Sequence, residues 1–210
     1  MTLKERWRRF WREANAKGDP RGPWETLAAR YEEAHRAYHT LRHIEHCLEE
    51  FETVRGEARD PVAVELALWY HDAIYDTRRR DNEERSAGLA EQVAAEAGLG
   101  SDLARRAGDL IRISTHRKSS SDPDARLFAD VDLSILGQPT EAFAEYERRV
   151  RQEYSWVPEG EFRAARARIL EAFLDRFSIY ATATFRDKYE KQARANVTTS
   201  VLVLKGGSAG

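Results

Sequence analysis

Apolar residues recur along this chain at intervals of three and four, the spacing that gives a helix one buried stripe. Leu3, Trp7, Phe10, Trp11 and Ala14 define a first helix with arginines on its other face, and the run from Gly18 to Pro23 stops it. Trp24, Leu27 and Tyr31 begin a second. Thr40 is placed to cap a third, striped by Leu41, Ile44, Leu48 and Phe51 and ending at Gly56. Asp60-Pro61 reads as an N-cap followed by proline at the first helical position, so Val62 to about Asp72 forms a fourth, strongly apolar helix that should be central. Further helices are predicted over 82–97, 102–115, 124–136, 141–156, 161–180 and 184–195, with a polar loop over 117–123. There is no internal repeat, no interdomain linker and no sustained heptad. The expected domain therefore runs over 1–196, leaving 197–210 as a tail whose β-prone Val197–Leu204 run is read as strand-like or irregular.

Composition agrees with the pattern. Ala, Glu, Leu and Arg dominate, while Gly 12 and Pro 6 are few for 210 residues. The expectation is an all-α, single-domain bundle of about eight to ten helices. A formal net charge of −2 argues against a dedicated polyanion binder. The 28 arginines are interspersed with glutamates at helical spacing and read as paired surface, so no nucleic-acid partner is expected. No apolar run approaches the roughly 20 residues of a membrane span, and Met1 is not followed by a signal core. With the single Cys47 unable to form an intrachain disulfide, the chain is expected to be soluble and cytoplasmic, without a membrane partner. A homodimer is left open.

The histidines carry the candidate chemistry, because five of the six fall before residue 72. His39 and His43 are four apart, which on a helix sets both on one face. His71-Asp72 places an imidazole beside a carboxylate at the end of the apolar fourth helix, and these are usual donors to Mn, Fe, Co, Ni or Zn. One such dipeptide means little, since chance supplies about 0.4 in a chain of this composition. A third piece raises the odds: Phe128-Ala129-Asp130-Val131-Asp132-Leu133-Ser134. At about 100° per residue, Asp132 borders the buried face of that helix and Asp130 points to solvent.

Tyr38-His39-Thr40-Leu41-Arg42-His43, His71-Asp72 and Asp132-Leu133-Ser134 together resemble the H…HD…D signature of the HD superfamily of metal-dependent phosphohydrolases. The YHxxxH spacing and the DLS are also similar to motifs of cyclic-nucleotide phosphodiesterases, remote members of that superfamily. From about Trp24 to Asn196 the chain resembles a bacterial family of predicted HD phosphohydrolases. The likeness includes NEERSA at 82–87, Gln152-Glu153-Tyr154 with Val157-Pro158, and the ending Ile179-Tyr180…Phe185…Glu190…Arg194-Ala195-Asn196.

The resemblance implies an HD-type bundle in which His43, His71, Asp72 and Asp132 ligate a divalent ion (Mn, Mg, Fe, Co, Ni or Zn), with Asp72 able to bridge to a second. It implies that His39 is the general acid and that the substrate is a small phosphorylated, nucleotide-like molecule whose phosphomonoester or phosphodiester bond is hydrolysed. Thr40 departs from the asparagine usual after the first histidine. The alternative is a metal-containing HD protein that senses a nucleotide without turnover. Glu83 is read either as the first turn of a capped helix or as a carboxylate facing the attacking water. His116 with Arg117 is read either as a helix C-cap or as a phosphate contact at the pocket rim. His35 and His46 are read as structural.

Overall fold

Helix α4 (Pro61–Tyr70) is the element around which five neighbouring helices of its own unit pack, and every residue from Ala63 to Tyr70 is buried. Asp60 accepts a bond from the Ala63 amide at 3.0 Å, and Pro61 occupies the first turn, so the helix begins as its sequence requires. The computed structural model describes residues 1–113 and 120–206. Among them the fold is all-helical: α1 (Leu3–Glu13), α2 (Arg21–Tyr31), α3 (Leu41–Val54), α4, α5 (Asn82–Glu96), α6 (Ser101–Ile113), α7 (Pro123–Asp132), α8 (Thr140–Glu153), α9 (Glu159–Leu174) and α10 (Ala183–Gly206), with 3-10 turns at Arg55–Glu57 and Leu133–Gly137. Two compact units are present, Met1–Asp132 and Leu133–Gly210. No helix among the described residues is long and apolar enough to cross a membrane.

In the first unit α4 packs against α1, α3, α5, α6 and α7. Trp7 of α1 meets Trp69 edge-on with ring centroids 5.4 Å apart, and Trp24 of α2 meets the same ring at 6.1 Å. Alanines on α5 (Ala87, Ala90, Ala94) and small residues on α6 (Ala104, Ala107, Gly108) let those helices approach closely. A Cβ on Gly108 would displace the Glu91 carboxylate that pairs with Arg112.

In the second unit α10 packs on α9 and on the Leu133–Gly137 turn. The Asn196 amide donates to the carbonyls of Leu136 (2.9 Å) and Gln138 (2.8 Å). Glu190 accepts from the Ile179 and Tyr180 amides and the Ser178 hydroxyl, and pairs with Arg194. Glu190 and Arg194 thus fasten loop 175–182, and Asn196 fastens the turn at Leu133–Gly137.

Four boundaries differ from the sequence expectation, the first being that the helix expected over 124–136 ends at Asp132 and gives way to the 3-10 turn Leu133–Gly137. The strand-like or irregular tail is instead the second half of α10, because Ala193, Val197 and Val201 form a buried helical stripe that outweighs the β-preference of Val and Thr. The helix expected over 161–180 stops at Leu174, whose carbonyl accepts from Arg194, while Glu190 holds the Ile179 and Tyr180 amides further on. The helix expected to reach Asp72 stops at Tyr70, which leaves His71 and Asp72 in a turn.

Asp124, fully buried at the start of α7, holds that helix to its neighbours. Its carboxylate accepts from the amides of Arg59 (2.7 Å) and Asp60 (3.1 Å) and from Arg106 of α6 (3.0 Å). Asp124→Ala strands two amides while Arg106 keeps its pair with Asp122, so a loss of about 1–3 kcal/mol is expected in urea unfolding.

Candidate metal centre

Three elements of the first unit bring four donors to one point. His43 stands in the first turn of α3, His71 and Asp72 follow the last turn of α4, and Asp132 is the last residue of α7. The turn after α4 is tight, with the Ala73 amide donating to the Tyr70 carbonyl at 2.9 Å, so consecutive residues His71 and Asp72 reach the same site. His71 Nδ1 lies 3.0 Å from the Leu68 carbonyl and carries the proton that bonds it, which leaves Nε2 as the donor atom.

The two imidazole Nε2 atoms are 3.0 Å apart. Asp132 Oδ1 lies 3.2 Å from His43 Nε2 and 3.4 Å from His71 Nε2, and Asp72 Oδ2 lies 3.5 and 3.2 Å from the same atoms. Bonds of about 2.0–2.2 Å separate neighbouring donors by about 3.0 Å around an octahedral ion and about 3.4 Å around a tetrahedral one. The cluster therefore has the dimensions of a coordination shell. Two carboxylates and two imidazoles also match a divalent charge. The imidazole side chains are 2% and 1% exposed while those of Asp72 and Asp132 are 21% and 15%, so the open side of the site is its carboxylate side.

Each group feels the others strongly. Burial lowers the pKa of His43 against the pull of Asp132. Burial opposes protonation of His71 too, but Asp72 and Asp132 overcome it and hold His71 well above the ordinary imidazole range. Asp72 is likewise held well below the carboxylate range by His71 and His39 despite its burial.

Cys47, one turn beyond His43 on α3, is a neighbour of the cluster that sequence patterning concealed. It is fully buried in line with Ile44, Leu48 and Phe51, and so reads as core. Yet its Sγ lies 3.7 Å from both ring nitrogens of His43, and donor atoms of His43, Cys47, His71 and Asp132 all fall within 4.8 Å of one another. Burial, then the Asp132 and Asp72 carboxylates, pushes the thiol well above its ordinary pKa. These buried residues could hold a metal ion.

His39 approaches the cluster from a bend before α3, not from the helix face its spacing suggested. Its ring centroid is 5.9 Å from that of His43, and it stacks on Tyr75 at 4.2 Å. Arg36, which belongs to none of the motif pieces, is the buried fastener of this region. Its guanidinium donates to the carbonyls of His39 (3.0 Å), Asp72 (2.7 Å) and Ala73 (3.1 Å) and to the Glu33 carboxylate (3.0 Å). The rings of Tyr31 and Tyr75 lie 5.1 and 5.5 Å from it. His35 bonds the Tyr75 carbonyl through Nε2 at 2.7 Å, so it steadies the same loop from outside.

The loop after the cluster is pinned by α5. Ser86 Oγ accepts from the Ile74 amide at 3.0 Å and donates to the Ile74 carbonyl at 3.3 Å, while Asn82 bonds both backbone groups of Asp76. Within NEERSA it is thus Asn82 and Ser86 that shape the site's border. Glu83 is half-buried in the first turn of α5, outside the donor cluster. His46 is half-buried on α3, also outside it. His116 and Arg117 lie outside the described residues. Asp130, expected to face solvent, is instead 1% exposed, because α7 packs against α3, α4 and α6 and has no single dry face.

No known protein family, curated protein or solved structure matches the chain. The functional reading therefore rests on the geometry of the site and on its motif.

Arg36→Met strands three carbonyls at the ends of the site's two loops, and about 3 kcal/mol of stability should be lost in urea unfolding. Arg36→Lys should recover only part of it, because one ammonium cannot reproduce a guanidinium fork between two segments.

Proposed function

We propose that this protein is a divalent-metal-dependent phosphohydrolase acting on a phosphomonoester or phosphodiester of a small, nucleotide-like molecule. The observation that carries the reading is the convergence of His43, His71, Asp72 and Asp132 at coordination distances, with the imidazoles buried and the carboxylates towards the opening. A divalent ion bound there would make water a nucleophile at neutral pH and offset charge on the phosphoryl oxygens. The H…HD…D resemblance supports phosphoryl over acyl transfer.

The chain's own residues have separable roles in this reading. His71, its tautomer fixed by the Leu68 carbonyl, and His43 present Nε2 to the ion; Asp72 and Asp132 supply matching charge on the side a substrate can reach. His39 is the general acid: it is half-exposed, its ring neighbours that of His43, and stacking on Tyr75 restricts how it can turn. From there it gives a proton to the departing alkoxide. Arg36 holds the carbonyls of His39 and Asp72 with one nitrogen, and so keeps the acid and a ligand in fixed relation.

The test is metal analysis of the purified protein joined to a panel of nucleotides and sugar phosphates with added Mn, Mg, Fe, Co, Ni or Zn. Hydrolysis should disappear on chelation and return with the ion. Asp72→Ala should lose bound metal and at least about 10²–10³-fold of the rate. His39→Gln should keep the metal and lose about 10²–10⁴-fold in kcat. Thermal stabilisation by a nucleotide with no product formed would favour a sensor over an enzyme.

A further inference from the structure

Three consecutive residues beyond the metal donors have their backbone held by side chains, although they belong to no helix. Ser86 accepts from the Ile74 amide at 3.0 Å and donates to its carbonyl at 3.3 Å, and Asn82 accepts from the Asp76 amide at 3.2 Å and donates to its carbonyl at 2.9 Å. Between them, the Tyr75 carbonyl takes a bond from His35 Nε2 at 2.7 Å. Arg36 already holds the carbonyls of Asp72 and Ala73, so these further bonds fix Tyr75 rather than the ligand. Tyr75 is also the residue that lies on His39, with ring centroids 4.2 Å apart and planes 29° apart. Tyr38 meets the same imidazole nearly at a right angle, 5.0 Å away. The Tyr75 ring is itself backed: the His35 ring runs parallel to it at 6.5 Å, and the Arg36 guanidinium lies 5.5 Å from its centroid.

We infer that Tyr75 is the positioning residue of the general acid: its ring sets the direction of the His39 imidazole, and α5, through Asn82 and Ser86, sets Tyr75. The inference rests on the proposed phosphohydrolase reading and adds to it a residue that touches neither ion nor substrate. As water adds to phosphorus and releases a proton to solvent, the bond from phosphorus to the alcohol oxygen breaks, and His39 gives its proton to that departing oxygen. An imidazole that can turn about its two side-chain torsions spends part of its time facing away from the oxygen, and stacking against a fixed ring removes those orientations. The benefit falls on leaving groups that need the proton. An alkyl or sugar alkoxide is strongly basic and needs it, whereas p-nitrophenolate leaves without it.

The experiment compares Tyr75→Leu with the unmutated full-length protein on glycerol phosphate against p-nitrophenyl phosphate, and on diphenyl phosphate against bis(p-nitrophenyl) phosphate, with the ion that activates it. On the esters with the more basic leaving group kcat should fall about 10–10²-fold, and on the nitrophenyl esters less than about twofold, with KM and bound metal unchanged. Tyr75→Phe, which keeps the ring, should restore the rate. In a His39→Gln background Tyr75→Leu should cost nothing further, since both act through one proton transfer. Asn82→Ala, which releases the backbone of Asp76, should give a weaker form of the same pattern. Independently of activity, nuclear magnetic resonance of protein with isotope-labelled histidine should show the His39 ring protons, identified by their loss in His39→Gln, shifted upfield by the overlying Tyr75 ring. Tyr75→Phe should keep that shift and Tyr75→Leu should lose it. An equal loss on both kinds of ester, a further loss in the His39→Gln background, or a His39 signal indifferent to Tyr75→Leu overturns the inference and leaves the hydrolase reading standing. If the unmutated protein hydrolyses no phosphate ester with any ion, the hydrolase reading falls, and the ring-proton shift still decides whether Tyr75 holds His39.

Discussion

A helix buried on every side must give its last carbonyls to something other than water, and that requirement organises this site. α4 is apolar from Ala63 onwards and has no solvent-facing side on which to fray. Its end is satisfied by tertiary partners. Tyr31 donates its hydroxyl to the Trp69 carbonyl at 2.9 Å, and His71 donates Nδ1–H to Leu68. Beyond the helix, Arg36 collects the carbonyls of Asp72 and Ala73. The bonds that terminate α4 are therefore the bonds that aim His71 and Asp72. Stability of the core and orientation of the donors rest on one set of contacts.

Charge follows the same logic. Arg36 and Asp124 are both withdrawn from water, and both are answered from several directions at once: Arg36 by three carbonyls and a carboxylate, Asp124 by two amides and a guanidinium. The donor cluster is the contrasting case. Burial lowers the pKa of His43, whereas Asp72 and Asp132 overcome burial and raise that of His71. A buried arrangement of like donors facing each other suits a cation placed among them.

The helical character of the chain was legible because its periodicity is strong, and His43, His71, Asp72 and Asp132 could be singled out because the motif pieces stand at helix ends. What was hidden is what tertiary packing decides. Nothing between Tyr70 and Ala73 breaks a helix by composition, so the turn after α4 could not be located. Cys47 shares a stripe with Ile44 and Phe51, and a thiol beside His43 there looks like any small core residue. Arg36 lies beside Glu33, and a neighbouring charge pair suggests solvent rather than burial. The wheel that turned Asp130 outward assumed one buried face, which fails for a short helix with three neighbours. The Val and Thr run of 197–204 weighed local preference above the stripe of Ala193, Val197 and Val201.

The donors also differ in where they sit along the chain. His43 and His71 are separated by 28 positions and meet through their ring nitrogens, and Asp132 lies further on still. An ion held among them fastens distant segments to each other, much as a disulfide would, and restricts the unfolded chain by closing long loops. A protein whose cysteine count forbids an internal covalent crosslink thus has the makings of a reversible one, fitted or withdrawn with the supply of metal.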